Sequence, residues 1–160
     1  MKNIVITMIL VFTAITSWGQ TYKFYQTDNL HNQLRLNTKT GEVMQIQDDN
    51  QTFLVHPSTT QDNEISNKYE LFKTKNMWTY ILLDKDTGKL WQCQYSVKGV
   101  EYISSWAINL VDLSSSKHSR FTIQPLTSMY QYYLIDEETG EMWKFQWTTD
   151  GENYRWIVKF

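Results

Sequence analysis

The chain has 160 residues, with 15 Lys and Arg against 17 Asp and Glu and a formal charge of −2 at pH 7. No basic run is longer than Lys73-Thr74-Lys75, which argues against nucleic acid as a partner, because binding phosphates takes a concentrated positive face. Cys93 is the only cysteine, so no internal disulfide is expected and stability rests on packing.

In chain order, Lys2 precedes an apolar run from Ile4 to Ile15 broken only by Thr7 and Thr13. That run is shorter than the about 20 residues a spanning helix takes, and it ends in Ser17-Trp18-Gly19, a small-x-small cleavage pattern. Residues 1–19 are therefore expected to be a secretory signal peptide. Residues 20–160 then form a single secreted or periplasmic domain with no membrane span after cleavage.

The rest of the chain repeats itself. LRLNTKTGEVM at 34–44, ILLDKDTGKLW at 81–91 and YLIDEETGEMW at 133–143 share one template, at spacings of 47 residues (Thr40 to Thr87) and 52 residues (Thr87 to Thr139). The same spacings align Tyr22, Tyr69 and Phe121, then Asn29, Asn76 and Ser128, and downstream Gln47, Gln94 and Gln146. Three units follow, at 22–68, 69–120 and 121–160.

Each unit reads as four strands, since Tyr, Trp, Phe, Ile and Thr dominate and alternate with period two, while helical spacing is absent. A first strand (Tyr22 to Tyr25, Tyr69 to Phe72, Phe121 to Gln124) precedes a hairpin, and a last one (Phe53 to Val55, Trp106 to Ile108, Trp156 to Phe160) follows it. In the hairpin turns, Asn37, Asp84 and Asp136 are expected to bond backbone N–H groups, and Gly41, Gly88 and Gly140 to close the turn in the left-handed conformation. The serine-rich tract at 114–119 reads as the most mobile connector.

Period two also suggests a core. The columns Leu34/Ile81/Tyr133 and Leu36/Leu83/Ile135 before the turn, and Met44/Trp91/Trp143 and Ile46/Cys93/Phe145 after it, are expected to form one threefold core. Cys93 is then a small buried hydrophobe. Gln45, Gln92 and Lys144 point the other way.

The fold class is thus all-β: three antiparallel four-strand repeats about a pseudo-threefold axis, arranged either as a β-trefoil or as small propeller-like meander blades. LLDKDTGKLW (82–91) and LIDEETGEMWKF (134–145) resemble the repeat of quinoprotein-type β-propellers, with its Leu-Asp-x-x-Thr-Gly-x-x-x-Trp core. Trp91 and Trp143 come one residue sooner after the Thr-Gly than in that core, and unit one departs further at Asn37 and Met44. The resemblance implies a meander blade and carries over no cofactor or catalytic residue. The triple repeat as a whole also resembles that of small secreted bacterial proteins rich in Trp, a resemblance that implies no activity.

Motifs for chemistry are missing. His31, His56 and His118 fall at unrelated positions without metal-ligand spacing, and no phosphate loop, nucleophile elbow or His-Glu-x-x-His occurs. The carboxylates Asp136, Glu137, Glu138 and Glu141 crowd an exposed turn, where pKa tuning by burial is not expected. No enzymatic activity, cofactor or metal is therefore expected.

What stands out is the aromatic load of seven Trp, ten Tyr and seven Phe. Trp78, Tyr80, Tyr130 and Tyr132 share the strand face opposite the expected core, where rings offer apolar area to a sugar or an extended peptide. The functional expectation is a secreted, non-enzymatic binding module that recognises a glycan or protein surface through these four residues. The alternative is a structural or protein-interaction subunit of a cell-surface or secreted complex with no small ligand.

Overall fold

A computed structural model describes residues 20–59, 67–113, 120–150 and 156–160. The expected signal peptide at 1–19, and the serine-rich tract at 114–119 with His118, lie outside the described residues. The described chain is all-β, with twelve strands in three antiparallel sheets of four and one 3-10 turn at Val100–Tyr102. Sheet I holds β1 (Tyr22–Gln26), β2 (Asn32–Asn37), β3 (Val43–Gln47) and β4 (Thr52–His56). Sheet II holds β5 (Tyr69–Lys73), β6 (Thr79–Asp84), β7 (Leu90–Gln94) and β8 (Ser104–Asn109). Sheet III holds β9 (Phe121–Pro125), β10 (Gln131–Asp136), β11 (Met142–Gln146) and β12 (Trp156–Lys159). Each repeat keeps its strands together as one meander, in chain order within the sheet.

The central hairpins turn on side-chain chemistry. Asn37 Oδ1 accepts the N–H groups of Lys39 (3.0 Å) and Thr40 (3.3 Å). Asp84 Oδ1 accepts those of Asp86 (3.0 Å) and Thr87 (3.2 Å), and Asp136 Oδ1 those of Glu138 (3.0 Å) and Thr139 (3.2 Å). Gly41, Gly88 and Gly140 follow at φ +78°, +72° and +74°, the left-handed region that glycine enters without a Cβ penalty.

Asn37 departs from the template for a physical reason. In repeats two and three the carboxylate pairs with the cation immediately before the repeat, Lys68 with Asp84 at 3.4 Å and buried Arg120 with Asp136. The aligned residue before repeat one is the neutral Thr21, and an amide at Asn37 avoids a half-buried carboxylate without that counter-ion. Burial works to raise the Asp136 carboxyl, but Arg120 and the turn N–H groups hold it below the usual carboxylate range.

The sheets stack face to face in sequence. We name the face of a sheet that looks to the next repeat its forward face, and the other its back face. Leu34, Leu36, Val43 and Val55 on the forward face of sheet I pack against Tyr69, Leu71, Tyr80, Leu82, Trp91 and Cys93 on the back face of sheet II. Ile81, Leu83 and Leu90 on the forward face of sheet II pack against Phe121, Ile123, Tyr132, Leu134, Trp143 and Phe145 on the back face of sheet III. Buried and half-buried residues accordingly alternate along β2 and β10, while every residue of β6 is buried, as in strands covered on both faces.

The apolar columns therefore do not meet in one threefold core. Strand register sets Leu34 opposite Gln45, Ile81 opposite Gln92 and Tyr133 opposite Lys144, and residues directly opposite share a face. The Leu34/Ile81/Tyr133 column thus lies with the glutamines, and the Met44/Trp91/Trp143 column lies on the other side of the same sheet. Two cores result, one on each side of sheet II. Each large side chain fully buried in them contributes about 2 kcal/mol from area alone.

Candidate functional site

The four aromatic residues singled out from the sequence divide into two kinds. Tyr80 and Tyr132 are 1% and 3% exposed, which corrects the expectation that they stand opposite the core: their face is the back face, covered by the preceding sheet. The Tyr80 hydroxyl donates across the first junction to the Gln26 carbonyl at 3.3 Å, and burial pushes its pKa up to about 12. Tyr132 stacks on Phe145, with centroids 5.6 Å apart and planes 19° from parallel. Neither ring is open to a ligand.

Trp78 and Tyr130 sit half-buried at the margin of the same faces. Each rests on an aromatic partner across the hairpin, Trp78 on Tyr95 at 5.3 Å and Tyr130 on Trp147 at 4.9 Å. Repeat one fills the corresponding places with His31 and Asp48, whose Nδ1 and Oδ2 lie 2.7 Å apart. The Asn29/Asn76/Ser128 column positions all three pairs: Asn29 Oδ1 accepts the His31 N–H (3.0 Å), Asn76 Oδ1 the Trp78 N–H (2.8 Å) and Ser128 Oγ the Tyr130 N–H (3.3 Å). A side chain of this kind fixes the loop two residues before the paired side chain.

Beside the Trp78 and Tyr95 pair lies an apolar concave site. The β7–β8 connection, residues 95–103, folds back over it, carrying the 3-10 turn and Gly99 at φ 153°, where a Cβ would meet the Glu101 carboxylate. Gln94 Nε2 donates to the Tyr102 carbonyl at 3.4 Å, tying the loop to β7. The resulting cavity of about 160 Å³ is lined by Trp78, Gln94, Tyr95, Val97, Lys98 and Tyr102, together with Ser96. Val97 also lines an adjoining depression of about 370 Å³ whose walls include Asn29, His31, Gln47 and Asp48. The aromatic cavity of sheet II and the polar depression of sheet I share Val97 as a common wall at the first junction.

The Gln47/Gln94/Gln146 column has no single role. Gln94 holds the loop carbonyl, whereas Gln146 Oε1 accepts from Gln131 Nε2 at 3.0 Å. The glutamines that recur for one reason are two residues earlier, at positions whose alternation points away from the core expected from the sequence. Gln45 Nε2 donates to the Ser96 carbonyl (2.8 Å) while its Oε1 accepts the Ser96 N–H (3.3 Å). Gln92 repeats this two-point grip on Thr148, at 2.7 and 3.2 Å. Both side chains are fully buried, and each ties one sheet to the backbone of the next just after its β7- or β11-type strand.

Burial pushes the Cys93 thiol up to about 12, away from thiolate chemistry. Burial lowers His56 to about 4; its Nδ1 shares a 2.6 Å hydrogen bond with Ser105 Oγ and its ring lies 5.2 Å from that of Trp91. Among the described residues no three His, Cys, Asp or Glu side chains gather as metal ligands, and no helix is long and apolar enough to cross a membrane.

No family model and no curated protein matches the chain. Two solved structures are similar to it. One is an auxiliary nutrient binding protein from Bacteroides thetaiotaomicron, with 12% identity over 81% of this chain and a TM-score of 0.49. The other is Hsv2 of Kluyvelomyces marxianus, with 13% identity over 85% of this chain and a TM-score of 0.49. This chain spans 33% of the first and 43% of the second.

Proposed function

We propose that the protein is a secreted, non-enzymatic binding module that takes a glycan in the cavity at the first junction. The observation that carries this reading is the half-buried Trp78 ring, backed by Tyr95 and lining a cavity that shares Val97 with the depression of Asn29, His31 and Asp48. A sugar ring has an apolar face for the aromatic wall and a rim of hydroxyls for carboxylate and amide acceptors and donors. Unit two, rather than units two and three alike, supplies the aromatic contact.

A glycan array and polysaccharide pull-down test the reading. Binding is expected, with Trp78→Ala weakening it about tenfold, because an aromatic contact beyond simple area is worth about 1 kcal/mol or more. A blank result across chemically diverse glycans overturns it. The second reading, a structural or protein-interaction subunit, draws support from apolar side chains such as Phe24 and Phe160 exposed on the outer sheets; a tight protein complex indifferent to Trp78→Ala would favour it.

A further inference from the structure

Sheets I and III each keep one face that no other sheet of the stack covers, and the two faces are the halves of a junction the molecule already builds twice. The back face of sheet I corresponds position by position to the back faces that sheets II and III press onto their neighbours. Register places Phe24, Met44 and Leu54 on it together, with Phe24 57% exposed. The forward face of sheet III corresponds to the forward faces of sheets I and II. Tyr133, Val158 and Phe160 stand there around Lys144, the Tyr133 and Phe160 rings 5.4 Å apart and Phe160 73% exposed. Apolar patches of this kind on a soluble protein mark a contact surface.

The polar residues of the two open faces differ from their internal counterparts in a matched way. Inside the stack a forward-face glutamine grips a neutral residue of the next sheet, Gln45 on Ser96 and Gln92 on Thr148. At the open ends the glutamine's counterpart is Lys144 and the counterpart of Ser96 and Thr148 is Asp49, an exposed residue preceded by exposed Asp48. An amide that meets a neutral backbone has been replaced by an ammonium, and the place it would meet has acquired carboxylates. Alone, each change puts a charge where the internal junctions are neutral; together they pair.

We propose that a second copy of this chain docks head to tail, the forward face of sheet III of one copy on the back face of sheet I of the other, in the register of the internal junctions, with Lys144 against Asp49. Such a contact is heterologous, so it grows until it closes. Two copies joined at both ends hold six sheets, three from each, within the about four to eight sheets of closed radial arrays. Gln33 and Arg35 stand where sheets II and III bury Tyr80 or Tyr132 and Leu82 or Leu134, so the contact between copies is weaker than the internal ones, and its charge pair makes it salt-sensitive.

Light scattering on the purified protein across the micromolar range tests this. The expected mass is that of two chains. Lys144→Glu is expected to raise the dissociation constant about tenfold or more, Phe24→Asp to do the same, and Lys144→Glu combined with Asp49→Lys to restore association. Unchanged unfolding midpoints measured on the dilute variants separate lost association from lost folding. A single-chain mass at every concentration, or an assembly indifferent to both Lys144→Glu and Phe24→Asp, overturns the proposal.

Discussion

Sheet II and sheet I are written from the same template, yet the same columns meet opposite fates in them. Leu82 of β6 is fully buried between two sheets, while its counterpart Arg35 of β2 lies half-exposed over the Tyr22 ring and 3.7 Å from Glu42. Trp91 packs in the first core, whereas Met44 faces outward in the same column. The difference shows that a repeat's own alternation does not decide which residues are buried. The neighbour does: a face is core when another sheet lies on it, and the middle sheet has two neighbours.

The comparison breaks most visibly at that column. Leu82→Ala removes a fully buried side chain and is expected to cost about 3 to 4 kcal/mol, read as a lowered urea midpoint at constant slope. Arg35→Ala loses a partly exposed ion pair and is expected to cost less than about 1 kcal/mol. Equal losses at the two positions would mean that the back face of sheet I is as covered as that of sheet II.

The two junctions also differ in what acid does to them. The first contains His56; the second has Asn109 at the matching strand position, a neutral side chain that donates to the Gly88 carbonyl at 3.0 Å. Burial lowers the folded-state pKa of His56 to about 4, below its ordinary value of about 6.5. The folded protein therefore binds fewer protons than the unfolded chain between those values. The stability linked to His56 is complete above about pH 6.5 and is lost as pH falls toward about 4, by at most on the order of 3 kcal/mol. Unfolding midpoints recorded from pH 7 to pH 4 are expected to show this slope, and His56→Gln to flatten it. Asp136, with its carboxyl held below the usual range, loses its contribution only at still lower pH, so acid unfolding of the variant remains.

Much of the fold is legible because it is local. The Asn37, Asp84 and Asp136 turns, the glycines that follow them and the Asn29/Asn76/Ser128 loops each involve bonds within a few residues, and their spacing announces them. Twelve strands and three units follow from the same columns. What is not legible is which faces meet. Period two assigns Tyr80 and Trp91 to faces of their own strands, but only the cross-strand pairing of Tyr80 with Cys93 and of Leu82 with Trp91 shows that they share one. Trp78 was visible as a candidate, while the loop from Ser96 to Tyr102 that builds a cavity against it carries no repeating signal. Gln45 and Gln92 read as surface residues because a buried amide leaves no mark in an alternation pattern; its partner is a backbone about 50 residues away, Ser96 or Thr148.

That pair of readings is sharpened by two glutamines on one strand. Gln92 and Gln94 both belong to the forward face of β7, and the sequence points to Gln94 as the recurrent one. Gln92→Ala would leave the Thr148 N–H and carbonyl without the partners they have now, in a site closed to water, at an expected cost of about 2 kcal/mol. Gln94→Ala gives up one 3.4 Å contact at a half-buried site and is expected to cost about 0.5 kcal/mol. Hydrogen exchange adds a readout specific to the junction: in Gln92→Ala the Thr148 amide is expected to lose protection, while amides within β6 keep theirs. Equal costs with Thr148 still protected would place the grip between sheets II and III in side-chain packing rather than in the buried amide.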